Sequence, residues 1–355
     1  MKNHIIILLA IVAVCISNSC FSPENQELET SCSYAGYFDV VELNHDGRVS
    51  EAVIVISPFN NSRDTLIVEE PLGNIICMSS SQVAGLKEIG VDSVITAVSG
   101  LRYITNSNLH LRKVCDIGYD ASLNYEKILS LKPDVLLAYT VSGAEPPYIK
   151  RLRSLGIRVL VINDHLENHP LARAEYMRLY GVLTGHRAYA DSMFTRICAR
   201  YDSLKVSVDS KLNKKRVLMN VPYGDAWYIP GGRSYMARLI QDAGGEVLGA
   251  DWSSSTSRII RMEEAYDLSL KADMWLNPGV CCTRADLIAF HHAFQFFGPI
   301  KNSMPIYNNT LRMTPEGGND FWESGSVRPD LILEDLVAIF ADDHRSSLKY
   351  YFEVK

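Results

Sequence analysis

The sequence predicts an α/β protein with two doubly wound parallel-sheet lobes, a single long helix that joins them, and a small N-terminal β segment. Three observations support this prediction. Buried apolar strands alternate with helices in two separate halves, helical periodicity runs through the stretch between the halves, and 355 residues exceed what one compact core usually fills. We expect the boundaries 1–19 (signal peptide), 20–30 (tether), 31–169 (first lobe with the β segment), 170–211 (linking helix) and 212–355 (second lobe).

The chain begins with the pattern of an export signal. Residues 5–16 form an apolar run of twelve residues behind Lys2. As a helix this run would rise about 18 Å, which is too short for a hydrocarbon core of roughly 30 Å. Small residues directly precede Cys20. The whole pattern resembles a bacterial lipoprotein signal, and this resemblance implies that Cys20 carries the lipid. An ordinary secretory signal is the alternative. The polar residues 21–30 are typical of a tether to the membrane.

The first half contains the elements of one lobe. Continuous apolar runs are typical of parallel strands that are covered on both faces. Strands of the small β segment are predicted at 37–41, 52–57 and 64–68. Strands of the parallel sheet are predicted at 74–78, 94–98, 135–139 and 159–162, with helices at 81–89, 126–131 and 149–155.

The second half repeats this order. It is predicted to have strands at 216–221 and 274–277 and helices at 234–243 and 285–294. A short echo links the two halves, because SLKPD at 130–134 and SLKAD at 269–273 are each followed by an apolar strand. Between the halves, apolar residues recur with helical spacing over many turns. Gly181 and Gly185 lower the local helix propensity there and are candidate positions for a break.

Composition and motifs exclude several classes of function. The net charge is −6, whereas nucleic-acid binders usually carry a basic excess. The nucleophile-elbow, phosphate-loop, dinucleotide and zinc-helix motifs are all missing, so no enzyme activity and no cofactor are predicted. No cysteine pair has C-x-x-C spacing. His165 and His169 are four residues apart, but Pro170 directly follows His169, which places the pair at a loop and helix entry. The sequence therefore predicts no metal site and selects no disulfide.

Five stretches carry a family resemblance, and the most specific are the N-x-E-x-I-x-x-L-x-P-D run from 124 and FWESG from 321. The matching residues are 71–100, 124–139, 152–162, 234–246 and 321–340. The chain resembles the substrate-binding proteins of ABC importers for iron-siderophores, haem and cobalamin. This resemblance implies a periplasmic, lipid-anchored monomer that captures such a ligand between its lobes and delivers it to a permease. By motif match, Glu126 and Glu264, or Glu263 in its place, would dock onto the permease.

Ligand-binding residues are expected in the loops that leave the carboxyl ends of the strands, because ligands of α/β proteins bind there. Aromatic side chains in such loops offer flat apolar faces, and arginines offer cations to an anionic ligand. We expect one or two of the aromatics in loop 221–233 to be core residues and at least one to face the cleft. The predicted ligand-binding residues are Arg102, Tyr103, Tyr223, Trp227, Tyr228, Arg233 and Trp252.

A second hypothesis belongs to another class of function. In this hypothesis the chain has the same fold and lipid anchor, but it acts at the cell surface as an interaction module or a sensor and transports no ligand. A cleft filled by the protein's own side chains would favour this alternative.

Overall fold

The computed structural model describes residues 33–45, 48–119, 122–208, 214–343 and 347–355. The predicted signal peptide, Cys20 and the tether lie outside the described residues. No helix in the described ranges is long and apolar enough to cross a membrane.

A three-stranded antiparallel sheet forms the N-terminal β segment. Phe38 of its first strand packs on Tyr176 of the linking region, with 4.5 Å between ring centroids. Ala52 and Val53 are neighbours in the second strand and both are fully buried, so this strand is shielded from solvent on both faces there. The strands are β1 (Phe38–His45), β2 (Arg48–Ile56) and β3 (Arg63–Val68), with β2 in the middle.

The first lobe is a five-stranded parallel sheet in the order β6-β5-β4-β7-β8. Every residue of β4 and β7 is buried, which agrees with their continuous apolar sequences. The strands are β4 (Ile75–Cys77), β5 (Ile95–Val98), β6 (Cys115–Asp116), β7 (Val135–Ala138) and β8 (Val159–Val161). The helices are α1 (Ser80–Glu88), α2 (Ser107–Leu111), α3 (Tyr125–Leu131) and α4 (Pro147–Ser154).

The second lobe has its own five-stranded sheet in the order β11-β9-β13-β14-β15, in which only β15 is antiparallel. Its strands are β9 (Lys215–Met219), β11 (Gly245–Val247), β13 (Met274–Leu276), β14 (Ile306–Asn308) and β15 (Phe352–Glu353). A separate ribbon pairs β10 (Trp227–Ile229) with β12 (Arg258–Ile260). The helices are α7 (Tyr235–Asp242), α8 (Met262–Ser269), α9 (Arg284–Phe290), α10 (Gly298–Lys301), α11 (Ser324–Val327) and α12 (Pro329–Phe340). The predicted α/β class with parallel sheets is confirmed.

The linking region consists of two helices, α5 (Pro170–Leu183) and α6 (Arg187–Ser207), where the sequence analysis predicted one. The chain turns between them at Gly185, whose φ of +71° is costly for residues with a Cβ. Gly181 lets the two helices approach closely, because a Cβ there would lie 2.6 Å from the Cβ of Ala190. The helix of 21 residues that continues to the second lobe is α6.

The two lobes share a packed apolar core beside the linking helices. One cluster of buried side chains includes Ile75 of the first sheet, Tyr180 of α5, Tyr201 of α6 and Trp275 of the second sheet. Interiors of this density resist deformation, so the shared core holds the lobes at a nearly fixed separation near the helices.

The echoed SLKxD segments occupy equivalent positions in the two lobes. The Asp134 carboxylate accepts hydrogen bonds from the backbone N–H groups of Gly73 and Asn74, both at 2.9 Å, just before β4. The Asp273 carboxylate accepts one from the backbone N–H of Arg216 at 2.8 Å, at the start of β9. Each aspartate therefore ties the strand that follows it to the first strand of its own sheet.

The predicted helix 285–294 is shorter in the structure. It ends at Phe290, because His291 has an extended backbone and its Nδ1 accepts a hydrogen bond from the Ala293 N–H. A short 3-10 turn, His292–Phe296, completes the segment. A side-chain cap of this kind competes with helix continuation, which periodicity does not reveal.

Candidate functional site

Each sheet has a topological switch point, where consecutive connections leave in opposite directions. In the first lobe it lies between β4 and β7, and in the second between β9 and β13. Asn220 and Asn277 directly follow β9 and β13, and both have a left-handed backbone, with φ of +65° and +58°. Ligands of doubly wound sheets bind outside such points, so the facing loops of the two lobes form the candidate site.

Arg102 and Tyr103 form an exposed cluster on the first lobe. The Arg102 guanidinium lies 4.6 Å from the centroid of the Tyr103 ring. A third residue, Tyr119, completes the cluster with its ring 6.1 Å from that of Tyr103. A hydrogen bond with the Tyr119 side chain, followed by the charge interaction with Tyr103, raises the pKa of Arg102. The sequence analysis missed Tyr119 because β6, the strand just before its loop, has only two residues.

The prediction that Trp227 binds ligand is wrong, because this side chain belongs to the core. Trp227 is 1 % exposed, and its indole N–H donates to the Met219 carbonyl at 2.8 Å. Its ring stacks on Trp275 and Phe297 with centroid distances of 6.0 and 5.9 Å. Side chains alternate along a strand, so when Trp227 of β10 points inward its neighbour Tyr228 points outward.

Tyr228 and Tyr223 are exposed, as a residue that binds ligand must be. Tyr228 is 41 % exposed and lies opposite Ile259 on the outer face of the β10–β12 ribbon. Tyr223 is 84 % exposed and begins a tight turn in which its N–H donates to the Ala226 carbonyl at 2.8 Å. These two tyrosines form an aromatic surface beside the switch point of the second lobe.

A cavity of about 460 Å³ lies between the lobes, and we call it the interlobe cavity. Arg233 and Trp252, which the sequence analysis predicted, line it together with two residues that it missed, His169 and Arg238. His169 ends the first-lobe segment, and Arg238 is on α7. The full lining is Asn168, His169, Gly232, Arg233, Arg238, Gln241, Trp252 and Ser255.

The hydrogen bonding of His169 fixes which of its ring nitrogens is a donor. Its Nδ1 accepts from the backbone N–H of Leu171 at 3.1 Å and so caps α5. Burial, and then the nearby Arg238 charge, lower the pKa of His169, which keeps the ring neutral at neutral pH. A neutral ring whose Nδ1 accepts carries its proton on Nε2, so Nε2 is the donor.

The Gly231–Gly232 pair lets two loops of the second lobe pack closely. A Cβ on Gly232 would lie 2.5 Å from the Trp252 ring, and one on Gly231 would lie 2.5 Å from the carbonyl oxygens of Ser254 and Thr256. The two glycines therefore let loop 251–257 lie directly on their backbone. This contact fixes the position of the Trp252 indole at the edge of the interlobe cavity.

The lobes also meet at loop 103–106 of the first lobe, through a buried carboxylate. Glu323 of the second lobe is 1 % exposed and accepts from the backbone N–H groups of Thr105 at 2.7 Å and Asn106 at 3.0 Å. Thr105 also donates its hydroxyl to Asp320 at 2.9 Å. Burial raises the pKa of Glu323 to about 7, although the hydrogen bonds with the backbone and side chain of Thr105 oppose that shift.

The acidic residues implied for docking are exposed at helix starts. Glu126 is the second residue of α3, and Glu263 is the second residue of α8. Glu264 forms an ion pair with Arg258 at 2.6 Å, whereas Glu263 has no ion pair in the described part of the chain. Glu263 and Glu126 therefore share the same position in their helices, and Glu263 differs from Glu264 in lacking an ion pair among the described residues.

Cysteines and histidines supply no metal site in the part of the chain that the structure describes. No group of three or more His, Cys, Asp or Glu side chains is placed there to hold a metal ion. His165 packs edge-on against Tyr139 with 5.7 Å between ring centroids. Cys77, Cys115, Cys198, Cys281 and Cys282 are free thiols.

Comparison with known proteins agrees with this architecture. The model of the periplasmic binding protein family matches residues 75–277, which is more than half of the chain. The chain belongs to the periplasmic binding protein family. The solved structure of a periplasmic haem-binding protein from Pseudomonas aeruginosa has a similar fold, with a TM-score of 0.60 and 16 % sequence identity. The match covers 80 % of this chain and 98 % of the Pseudomonas protein.

Two relatives of this periplasmic binding protein are lipoproteins. An uncharacterised lipoprotein of Methanocaldococcus jannaschii is 24 % identical over 302 residues, which cover 81 % of this chain and 70 % of the relative. An uncharacterised ABC transporter substrate-binding lipoprotein of Bacillus subtilis is 26 % identical over 208 residues, which cover 56 % of this chain and 63 % of the relative.

Proposed function

We propose that this protein is a lipid-anchored solute receptor that captures an iron chelate, a haem or a corrinoid between its lobes and delivers it to the permease of an ABC importer. The observation that carries the proposal is the interlobe cavity, which residues of both lobes line together. The half-exposed Trp252 ring and the two arginines that line it suit a bulky ligand with rings and charge. Family membership supports the same class of function.

Native mass spectrometry of protein purified from its own cells tests the proposal, together with an absorbance spectrum of the same sample. A tightly bound ligand adds a discrete mass, and the spectrum separates haem, corrinoid and ferric catecholate. We expect one added mass for each polypeptide. A protein without added mass that also fails to bind any of these compounds in calorimetric titration would favour the interaction module.

Docking onto the permease is assigned to Glu126 and Glu263, one on each lobe. Both are exposed acids at helix N-termini, so their carboxylates are accessible to a cationic partner surface. Charges at the rim of an interface steer and orient the partner more than they add affinity. Glu264 contributes less, because Arg258 already neutralises it.

Reversing both docking charges is expected to uncouple capture from transport. In the double variant Glu126→Lys and Glu263→Lys, we expect ligand affinity to be unchanged while stimulation of the importer's ATPase in proteoliposomes falls at least about tenfold, because like charges at an interface cost several kcal/mol. The double variant Glu69→Lys and Glu70→Lys makes the same change of net charge at exposed residues after β3 and serves as control. Equal stimulation by both variants would contradict the assignment.

Cys20 is proposed as the attachment point of the lipid. The variant Cys20→Ser is expected to move from the membrane fraction to the soluble fraction, because the remaining signal would still direct export but leave no acyl chains. Fractionation and immunoblotting measure this shift, and Cys32→Ser is the matched control because it lies beyond the predicted tether. A Cys20→Ser protein that stays with the membrane would argue against lipidation at this residue.

A further inference from the structure

The interlobe cavity carries an unbalanced positive charge. Arg233 and Arg238 both line it, and neither forms an ion pair within 4 Å among the described residues. No acidic residue of the described chain lines the cavity with them. The whole chain has a net charge of −6, so this local excess of two guanidinium groups contrasts with the rest of the protein.

Two carboxylates in the neighbourhood of these arginines make hydrogen bonds or ion pairs with other residues. Asp242 forms an ion pair with Lys205 at 3.0 Å and accepts the Tyr201 hydroxyl at 2.8 Å. Asp251 accepts hydrogen bonds from the backbone N–H and the hydroxyl of Ser253, at 2.9 and 2.7 Å. Asp251 still feels the Arg233 charge, which contributes to lowering its pKa. In the described part of the chain, however, no carboxylate lies within ion-pair distance of Arg233 or Arg238.

The other polar side chains of the cavity add donors from both lobes. The Nε2–H of His169 is a donor, because its Nδ1 is used to cap α5. Asn168 and Gln241 contribute amides, and Trp252 contributes a flat face held in place by Gly232. The cavity therefore combines hydrogen-bond donors with two permanent positive charges, and its lining residues include no acid. Such a site suits anionic oxygen atoms next to an apolar ring.

We propose that the interlobe cavity binds free carboxylates of the captured ligand, with Arg233 and Arg238 as the cationic partners and His169 as a donor from the opposite lobe. This inference rests on the proposed function and narrows its ligand class. A chelate or tetrapyrrole with free carboxylates fits the cavity, whereas a cationic hydroxamate chelate or cyanocobalamin leaves the guanidinium groups unpaired. Planar guanidinium groups match carboxylates in two-point geometry. A bound carboxylate would also tie the lobes together.

Calorimetric titration with four probes tests the inference and separates two sources of carboxylate. Haemin carries propionates, ferric citrate is a carboxylate chelate, ferrioxamine B is a hydroxamate chelate without carboxylates, and cyanocobalamin carries amides. We expect haemin or ferric citrate to bind, and the double variant Arg233→Gln and Arg238→Gln to bind the same probe at least about tenfold more weakly, since one lost charged contact of about 1.4 kcal/mol gives that factor. The loss is expected to shrink at high salt.

The double variant Arg196→Gln and Arg261→Gln removes the same charge from exposed positions outside the cavity and should bind like the native protein. Because Arg233 and Arg238 are exposed, thermal unfolding of their variant should match that of this control. Preferred binding of ferrioxamine B or cyanocobalamin overturns the carboxylate inference but leaves the receptor function standing. Equal affinity of both variants for a carboxylate probe overturns it as well. Failure of all four probes counts against the receptor function itself.

Discussion

Replacing Glu175 by alanine is expected to lower the free energy of unfolding by about 3–5 kcal/mol, the cost of breaking a buried charged network. The Glu175 side chain is fully buried on α5. It accepts the backbone N–H groups of Ser33, Tyr34 and Ala35, each at 2.8 Å, and the guanidinium of Arg178 at 2.9 Å. The truncation would remove the buried acceptor that all these donors share.

Urea unfolding followed by tryptophan fluorescence measures this loss. Glu42→Ala is the matched control, because Glu42 also pairs with an arginine, Arg187 at 3.0 Å, but its side chain is 65 % exposed. Exposed ion pairs contribute about 0–1 kcal/mol, so this control should change little. Hydrogen exchange should also accelerate at residues 33–35 in the Glu175 variant. Similar losses in both variants would show that burial does not set the strength of the contact.

A second glutamate, Glu167, holds the next two residues in the same way as Glu175 holds residues 33–35. Its carboxylate accepts hydrogen bonds from the backbone N–H groups of Gly36 at 2.9 Å and Tyr37 at 3.0 Å. Together the two glutamates fix residues 33–37 against the linking region. Under the proposed lipid anchor, the tether would therefore enter the folded protein at the helices that join the lobes, rather than at the far end of either lobe.

Replacing Glu323 by glutamine is expected to change the pH dependence of stability. The pKa of Glu323 is raised to about 7 in the folded protein, above the value of 4.5 for an ordinary glutamate. Between these values the folded state binds more protons than the unfolded state, so this carboxyl stabilises the fold at low pH and loses that contribution as the pH rises through 7. From pH 5 to pH 8, the stability of the native protein relative to Glu323→Gln should fall by as much as about 3 kcal/mol.

Urea unfolding of both proteins at several pH values gives this difference directly. A comparison of variants is needed because burial lowers the pKa of His165 and His169, so acid weakens the fold through those two groups. Glu126→Gln is the control, since Glu126 is exposed and its removal should leave the pH profile parallel to that of the native protein. A constant difference between native protein and Glu323→Gln across the range would refute the prediction.

The fold class was predictable because its signals are local. The runs at 74–78 and 135–139 are apolar throughout, and both became central strands of the first sheet. The β10–β12 ribbon and β15 escaped prediction, because two- and three-residue strands carry too little periodicity to be recognised. For the linking helices, the sequence offered both Gly181 and Gly185 as positions of a break, and the structure places the turn at Gly185.

The candidate site was predictable only in part, because cavities form between segments distant in the chain. Loop position correctly indicated exposed side chains for Tyr223, Tyr228 and Trp252, but it could not tell which way Trp227 points. Arg238 was missed because it lies on a helix with a strongly apolar inner face, where an arginine is usually just a solvated residue. His169 was considered only as a metal ligand and rejected in that role, whereas the structure gives it a helix cap and a place in the interlobe cavity.

The sequence alone determined the doubling of the α/β pattern, the position of the linking region and the acids at the helix starts, because hydrophobic period and helix-start signals are properties of neighbouring residues. Only the tertiary structure decided that Trp227 is buried, that Glu263 rather than Glu264 is free, and that Arg233, Arg238 and His169 share one cavity. These outcomes depend on which side chains meet in the folded protein, both within the second lobe and between the lobes. Burial and electrostatic pairing are set by such contacts, and the order of residues along the chain does not specify them.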